Sequence, residues 1–435
     1  VRGGVDTIRQ ALGLTMIRTR TLAVFGALVL AAPLTPASAG AATAPNAVVF
    51  WDINAQTAIW DIAHQAPPQV AGRGFAMVSG AVYDAVNAIA GTPYQPYLVA
   101  PRAGGRESTD SAVGTAAYRV LAAIFPAQQE RLREQYDEWL AGIPDGPAKR
   151  GGIRVGGEAA AAMIAAREHD GAFDPRPWTV GTEPGQYRPT PPDFENTGAW
   201  VGFLKPFTIP DAAMFRTPGP PSVTSRAYAR DFAEVKRLGS ATSTARTADQ
   251  TDAALWWHDR RSVSWGMKRD LALTQRLGVL ETARLYALAD FAGTDGAIAC
   301  ANDKEFWHFW RPVTAIRSAA TDGNPATTAD PAWTPLVVTP PNPDYPSGHT
   351  CRTAAQMTAY RSFFGRDDVP FSAYSVDSGT TRHFARFSQA TAEVIGARIW
   401  AGIHFRSADV DGTTLGTAVG TYLTQHFLRP RHLAQ

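Results

Sequence analysis

Three short segments in the last third of this 435-residue sequence hold residues whose types and spacing could do chemistry. They are Lys304 to Pro312 (KEFWHFWRP), Pro346 to His349 (PSGH) and Arg398 to His404 (RIWAGIH). Among their residues are one lysine, two arginines, a serine, the glycine Gly348 and the histidines His349 and His404. The set is rich in positive charge and hydrogen-bond donors and contains no cysteine, so it suits an oxyanion with several charged oxygens and not a soft metal cage.

Each segment has an ordinary reading beside the chemical one. Lys304 and Arg311 are seven residues apart, which on a helix puts both side chains on one side. Two such cations form either a solvated basic face or the walls of an anion site. The large aromatic residues between them favour burial, and buried cations need partners. Pro312 is expected to end or kink that helix. Ser347 is a good N-cap for a helix starting at Gly348, and such a start offers free N–H groups to an anion. Gly348 allows close approach of a ligand to the backbone, and His349 then stands beside the anion for proton transfer. Arg398 can fork onto two oxygens. His404 can give one ring nitrogen to the central atom, with Asp409 or Asp411 expected to hold the other. Alone, His404 would read as a core histidine. The other seven histidines (His64, His169, His258, His308, His383, His426 and His432) show no metal-ligand spacing, and no P-loop, GxGxxG or GxSxG motif occurs.

The elements that must position these residues read as helices. Phe75, Val78, Val82, Val86 and Ile89 recur at helical spacing within 73–89. Further helical patterns cover 111–125, 128–142, 153–168, 223–238, 247–261, 263–277, 281–303, 350–364, 389–405 and 412–427. From 171 to 222 the chain is rich in Pro, Gly and Thr. This stretch reads as an ordered crossover or lid, because Trp178, Tyr187, Phe194, Trp200, Phe203 and Phe207 call for burial. A second loop spans 318–345. Hardly any segment alternates with period two, so the expected fold is all-α: two antiparallel helical bundles side by side, joined by long Pro-rich crossover loops. The N-terminal bundle and crossover would take 40–222 and the C-terminal bundle, carrying the oxyanion site, 223–435.

Residues 1–39 read as an export signal that is cleaved. Arg18 and Arg20 precede the apolar run Leu22 to Leu34, followed by Ala37-Ser38-Ala39, with Met16 a candidate start. The run is shorter than the ~20 residues a membrane span needs, so no stable membrane span is expected. Four arginines and one aspartate fall in this stretch. The remainder holds 37 basic and 38 acidic residues, a balance with no electrostatic reason to seek nucleic acid. The two cysteines, Cys300 and Cys351, are a candidate disulfide in an exported protein, against two buried free thiols.

Lys-x6-Arg-Pro, then Pro-Ser-Gly-His, then Arg-x5-His resembles the signature shared by vanadium-dependent haloperoxidases and the type 2 phosphatidic acid phosphatase superfamily. The stretch AMVSGAVYDAVNAI (76–89), GQYRPTPP in the crossover and FWRPVTAIR look like bacterial, exported members of the haloperoxidase group. The resemblance implies vanadate as cofactor at the base of a channel. Lys304, Arg311, Ser347, Gly348 and Arg398 would bind its equatorial oxygens and His404 would coordinate vanadium axially. His349 would act as acid–base catalyst, while Lys304 polarises bound peroxide. The implied partners are hydrogen peroxide, a halide and a small organic acceptor, with Trp307, Trp310 and Trp333 available to line its site, and a homodimer is compatible with the resemblance. The same residues would serve an acid phosphatase, with His404 as nucleophile forming a phosphohistidine and His349 protonating the leaving group. Three positions depart from the pattern. Ala397 stands where the phosphatases carry Ser, and Asp409 is five positions beyond His404 where four is usual. Asn342 replaces the aromatic of chloride users and the histidine of bromide users.

Overall fold

The computed structural model describes residues 46–63, 68–259 and 261–431. The expected export signal, His64 and His432 lie outside them. In chain order the helices are α1 (Ala47–Gln56, continued by one wide turn to Ile62), α2 (Pro68–Ile89), α3 (Thr109–Ile124), α4 (Gln129–Ala141) and α5 (Pro147–Ala166). The crossover follows, then α6 (Arg226–Leu238), α7 (Ala248–Trp256), α8 (Val263–Thr274), α9 (Val279–Trp307), α10 (Pro312–Ser318) and α11 (Gly348–Phe364). A two-stranded hairpin, β1 (Phe371–Tyr374) and β2 (Thr381–Phe384), precedes α12 (Phe387–Trp400) and α13 (Arg406–His426). The fold is all-α apart from this hairpin, which the sequence reading did not anticipate. Its strands pair antiparallel with Phe371 opposite Phe384, the two rings stacked at 5.2 Å.

Helix α9 organises the molecule. Between Thr282 and Lys304 every residue except Arg284 and Asn302 is buried, so it is apolar or internally satisfied all round, as a helix must be when it packs on every side. Helices α2, α3 and α5 pack together, and α2 lies against α9. On its other flank α9 meets α11 and α13, and α11 carries α12. Two helical groups therefore share one central rod. The α11–α13 contact is close because Gly416 leaves room for the Cys351 carbonyl, where a Cβ would collide with backbone.

Three acidic residues of α9 fasten the crossover. Asp295, fully buried, accepts the N–H groups of Phe207 and Thr208 (both 2.7 Å) and the Thr208 hydroxyl (2.5 Å). Asp303 accepts Thr217 N–H (2.8 Å) and Arg216 Nη1 (2.7 Å). Glu305 accepts the N–H (3.1 Å) and hydroxyl (2.5 Å) of Thr179. A carboxylate accepting several N–H groups restores what burial costs it, so the crossover is ordered without regular structure. Of the six aromatics expected to be buried, Trp178, Tyr187, Trp200 and Phe207 are. Phe194 (63% exposed) and Phe203 (46%) are not. Phe203 instead lies under the Arg176 guanidinium at 4.0 Å, an exposed aromatic covered by a cation.

Three local expectations need correction. Lys304 and Arg311 are not on one helix. Helix α9 stops at Trp307, and His308 takes a left-handed conformation (φ 35°, ψ 46°) because residues 308–310 pair with the crossover. Tyr187 N–H donates to His308 O (2.7 Å) and Trp310 N–H to Gly185 O (2.9 Å). Pro312 accordingly opens α10 at its first turn, where a missing N–H costs nothing. Helix α12 ends at Trp400, and Gly402 (φ +80°) turns the chain, so His404 stands in the link before α13.

Candidate active site: a buried cationic pocket

Lys304, Arg311, Gly348, His349, Arg398 and His404 line one cavity of about 300 Å³. Four separate pieces of chain bring them there: the end of α9, the strand-like exit to α10, the start of α11, and α12 with the link that follows it. Ser347 lies just beneath, fully buried. The partly exposed residues of the lining include Pro340, Pro341 and Asn342 from the loop before α11 and Glu195, Thr197 and Gly198 from the crossover.

Lys304 is 3% exposed, and its ammonium donates to the carbonyls of Pro343 and Asp344 (the latter at 2.9 Å). An ammonium has three donors, so one N–H remains beyond those two bonds. Burial, and next the charge of Arg311, lower its pKa to about 8. Arg311, 1% exposed, is clamped by Asn342. Its Nε donates to Asn342 O (2.7 Å), Nη2 to Asn342 Oδ1 (2.7 Å) and Nη1 to Ile403 O (2.6 Å). Arg398 is fully buried and its Nη1 donates to Trp257 O at 3.4 Å. At the start of α11 the first helical bond is Cys351 N–H to Ser347 O (3.0 Å), which leaves the earlier first-turn N–H groups outside the helix ladder. Ser347 occupies the N-cap position but makes no side-chain cap bond. Its hydroxyl instead acts on Asp409, whose pKa burial drives well up while Ser347 opposes the rise.

His404, 2% exposed, is not held by Asp409 or Asp411. Asp344 Oδ1 lies 2.9 Å from its Nδ1, and Arg311 Nη1 is 3.1 Å from its Nε2. Asp409 faces Ser347, and Asp411 accepts the Tyr345 hydroxyl at 2.6 Å. The reason is that α13 begins at Arg406 and carries its own acids away from the ring. Assigning the Nδ1 proton to the Asp344 side leaves Nε2 as the acceptor nitrogen. Burial, then the charges of Arg311, Lys304, Arg398 and His349, push the His404 pKa well below the usual 6.5, so the ring is neutral at pH 7. Burial raises Asp344 to about 7 against the pull of Arg311 and Lys304. Neither Asp344 nor the clamp by Asn342 was anticipated from sequence. The signal present was a carboxylate inside the NPDYPSGH run itself.

Cys300 and Cys351 are both buried free thiols, not the expected disulfide. Cys300 Sγ lies 3.4 Å from Pro346 O, and burial together with Cys300 raises the Cys351 pKa well above normal. His308 ends α9 and is absent from the cavity lining. Trp310 and Trp333 belong to the core around Phe309 and Tyr345, with Trp307 packed against it. The aromatic walls of the cavity are Trp178 and Trp257, joined by His258.

The donor set fits a small tetrahedral oxyanion. Three cations, one of them with a donor to spare, a helix start and a neutral imidazole face one space; of the two acids in its lining, Asp259 is taken by the N–H groups of Arg261, Ser262 and Val376, and Glu195 belongs to the crossover. Among the described residues no group of three or more His, Cys, Asp or Glu could hold a bare metal ion. No described helix is long and apolar enough to cross a membrane.

Residues 284–432 match the family model for the VCPO second helical-bundle domain. A stretch of 127 residues is 32% identical to the vanadium chloroperoxidase of Curvularia inaequalis, covering 26% of this chain and 20% of that protein. The chain therefore spans about a fifth of the length of this curated relative. Two solved structures resemble the whole fold. A bacterial vanadium-dependent iodoperoxidase aligns with a TM-score of 0.74 at 24% identity, covering 88% of this chain and 97% of its own. A bacterial vanadium-dependent chloroperoxidase in its holo form aligns with a TM-score of 0.64 at 20% identity, over 86% and 95%. Residues 284–432 thus match a vanadium-chloroperoxidase-type second helical bundle, and the chain as a whole has the same fold as the bacterial vanadium-dependent haloperoxidases of known structure.

Proposed function

We propose that the protein is a vanadate-dependent haloperoxidase, which oxidises a halide with hydrogen peroxide to a hypohalous-acid-like species that halogenates a small organic acceptor. The observation that carries this is the convergence of Lys304, Arg311 and Arg398 on a neutral His404 that is backed by Asp344. Vanadate, when bound, supplies Lewis acidity without changing oxidation state. Lys304, Arg311, Arg398 and the Gly348 N–H would hold its oxygens, with Ser347 beneath them. His404 would offer Nε2 as the ligating nitrogen. Asp344, with Oδ1 2.9 Å from Nδ1, would draw the ring proton to that side, keep the ring in that tautomer and raise its basicity. His349, at the first turn of α11 and facing the cavity, is placed to take a proton from incoming peroxide and return it to a departing oxygen. The fixed cations stabilise charge that builds on the oxygens without reorganising during the reaction.

The same neutral imidazole, oriented by a carboxylate, is also a competent nucleophile on phosphorus, so phosphate monoester hydrolysis is the second reading. Vanadate added to anion-free protein separates them. Bromide- or iodide-dependent halogenation with peroxide should appear, while p-nitrophenyl phosphate hydrolysis, if present, should be inhibited. His404→Ala should abolish vanadate binding, and His349→Ala should keep vanadate but lose most turnover. Phosphatase activity without halogenation would overturn the first reading. Export of the protein belongs to the same proposal and rests on residues 1–39 of the sequence; N-terminal sequencing of secreted material beginning just after Ala39 is the test.

A further inference from the structure

The hairpin β1–β2 contributes no residue to the cavity lining, yet its bonds converge on one wall of it. That wall is Trp257, His258 and Asp259, just beyond the end of α7. Asp259 accepts the Val376 N–H (2.7 Å) from the turn of the hairpin. The indole N–H of Trp256, one residue before the wall, donates to Ala373 O of β1 (3.2 Å). On β2, Arg382 pairs across from Ala373 and sets Nη1 on Asp252 (2.8 Å) and Asp249 (3.0 Å) of α7. The Thr380 hydroxyl adds a bond to Asp252 Oδ1 (2.8 Å). The hairpin thus braces α7 along its length and at the wall.

Arg382 also forks onto Glu393 of α12, Nε to Oε1 (2.9 Å) and Nη2 to Oε2 (2.8 Å). Glu393 Oε1 in turn accepts the indole N–H of Trp257 (2.9 Å). Five residues further along α12, about 7.5 Å up its axis, Arg398 donates through Nη1 to the Trp257 carbonyl (3.4 Å). Helix α12 therefore grips Trp257 at two points, the ring by an acid and the backbone by an arginine of the oxyanion bed.

The two grips differ in strength. An N–H on a carboxylate at 2.9 Å is charge-assisted. The carbonyl contact at 3.4 Å is near the outer limit of a hydrogen bond, so a small displacement of Trp257 breaks it. Glu393 and Arg382 are 17% and 15% exposed, which leaves their pair only partly screened by solvent. Trp257 is 3% exposed, with the Phe384 ring of β2 6.0 Å from its own. A buried indole N–H that loses its acceptor has no water to turn to and carries the full desolvation cost, so the ring would move to find another partner.

We propose that Glu393 is a positioning residue for the oxyanion bed: it holds the Trp257 ring so that the Trp257 carbonyl meets Arg398, and the hairpin, through Arg382, steadies Glu393 from behind. This rests on the reading of the cavity as an oxyanion site and not on halogenation.

The test measures vanadate affinity of the anion-free full chain by calorimetry, with near-ultraviolet circular dichroism as a second readout. Glu393→Leu should weaken vanadate binding about tenfold, as loss of an outer partner does. Glu393→Gln keeps an oxygen for the indole N–H and should lose no more than about threefold. Trp257→Phe lacks that N–H and should weaken binding about as much as Glu393→Leu. Adding Glu393→Leu to Trp257→Phe should then cost nothing further, because the two changes remove one interaction. The dichroism change produced by Glu393→Leu should likewise vanish in the Trp257→Phe background, a mark that general loosening would not leave. Arg382→Met releases α7 but leaves the acid beside the indole; it should lower unfolding stability while vanadate affinity stays within about threefold. Unchanged vanadate affinity in Glu393→Leu, a full further loss in the Trp257→Phe background, or Arg382→Met as damaging to vanadate binding as Glu393→Leu would overturn the assignment. Should Glu393→Leu fail to fold, Glu393→Gln and Trp257→Phe complete the same cycle. A parent protein that binds neither vanadate nor phosphate refutes the oxyanion reading; a parent that binds vanadate no better than Glu393→Leu does refutes the positioning role alone.

Discussion

Asp344→Asn acts first on His404 and removes a charge that Arg311, 4.0 Å away, and Lys304 also feel. The Asp344 backbone holds Lys304 through its carbonyl (2.9 Å) and donates its N–H to Phe309 O (2.9 Å), and neither bond involves the side chain. What is lost is the carboxylate 2.9 Å from His404 Nδ1. Outer partners of a ligating histidine typically contribute 10- to 100-fold in metal affinity, or about 1.4–2.7 kcal/mol. Vanadate affinity of the variant should fall by that factor. Stability should respond to pH in the opposite sense. The Asp344 pKa lies near 3.8 in the unfolded chain and is raised to about 7 by burial. Between those values folding takes up a proton. The stability this acid contributes is therefore full below about pH 4 and is lost as pH rises through about 7. At ~1.36 kcal/mol per pH unit the loss is on the order of 4 kcal/mol. Asparagine does not titrate, so the stability of the variant relative to the parent should increase by a few kcal/mol from pH 4 to pH 8. Denaturant unfolding of vanadate-free protein across that range, with vanadate titration alongside, measures both. Unchanged vanadate affinity together with parallel stability profiles would refute the role given to Asp344.

Other outcomes follow from the same geometry. Asn342→Ala removes the acceptor for Arg311 Nη2 and should weaken vanadate binding about tenfold, read by calorimetry, with the fold intact by circular dichroism. Gly402→Ala puts a Cβ against the Gly239 carbonyl in a left-handed turn; a loss of about 2–4 kcal/mol in denaturant unfolding is expected, with vanadate affinity falling as His404 shifts. Asp295→Ala leaves the N–H groups of Phe207 and Thr208 without their buried acceptor, so limited proteolysis should cut the crossover near 207–209 at a rate the parent does not show. A thiol reagent should titrate Cys300 and Cys351 only after unfolding, both as free thiols.

The long helices were legible because burial on one side leaves a period that local sequence records. Phe75, Val78, Val82, Val86 and Ile89 of α2 are all buried. The break at His308 was not legible. KEFWHFWRP looks helical throughout, and what unwinds it is pairing with Gly185 and Tyr187, more than a hundred residues away in sequence. The cationic residues were readable from motif order, since a charge that must be buried leaves a trace in composition. Their supports were misassigned for the same reason as the break: nearness in sequence pointed to Asp409 and Asp411 for His404, while a loop from another part of the chain delivers Asp344. Trp307, Trp310 and Trp333, beside the motif, were the aromatic residues expected at the cavity, whereas the crossover and the end of α7 supply Trp178 and Trp257.

Glu305, Asp303 and Asp295 tie the crossover to the helix that bears Lys304. The doorway and the deepest charge are mounted on one beam, and the doorway itself, around 188–198, runs from the pairing of Tyr187 with His308 to the bonds between Asn196 and Trp178. Lengthening or trimming that span would change which molecules are admitted while leaving the inorganic bed in register. Such a layout lets a lineage explore new guests without rebuilding its chemistry.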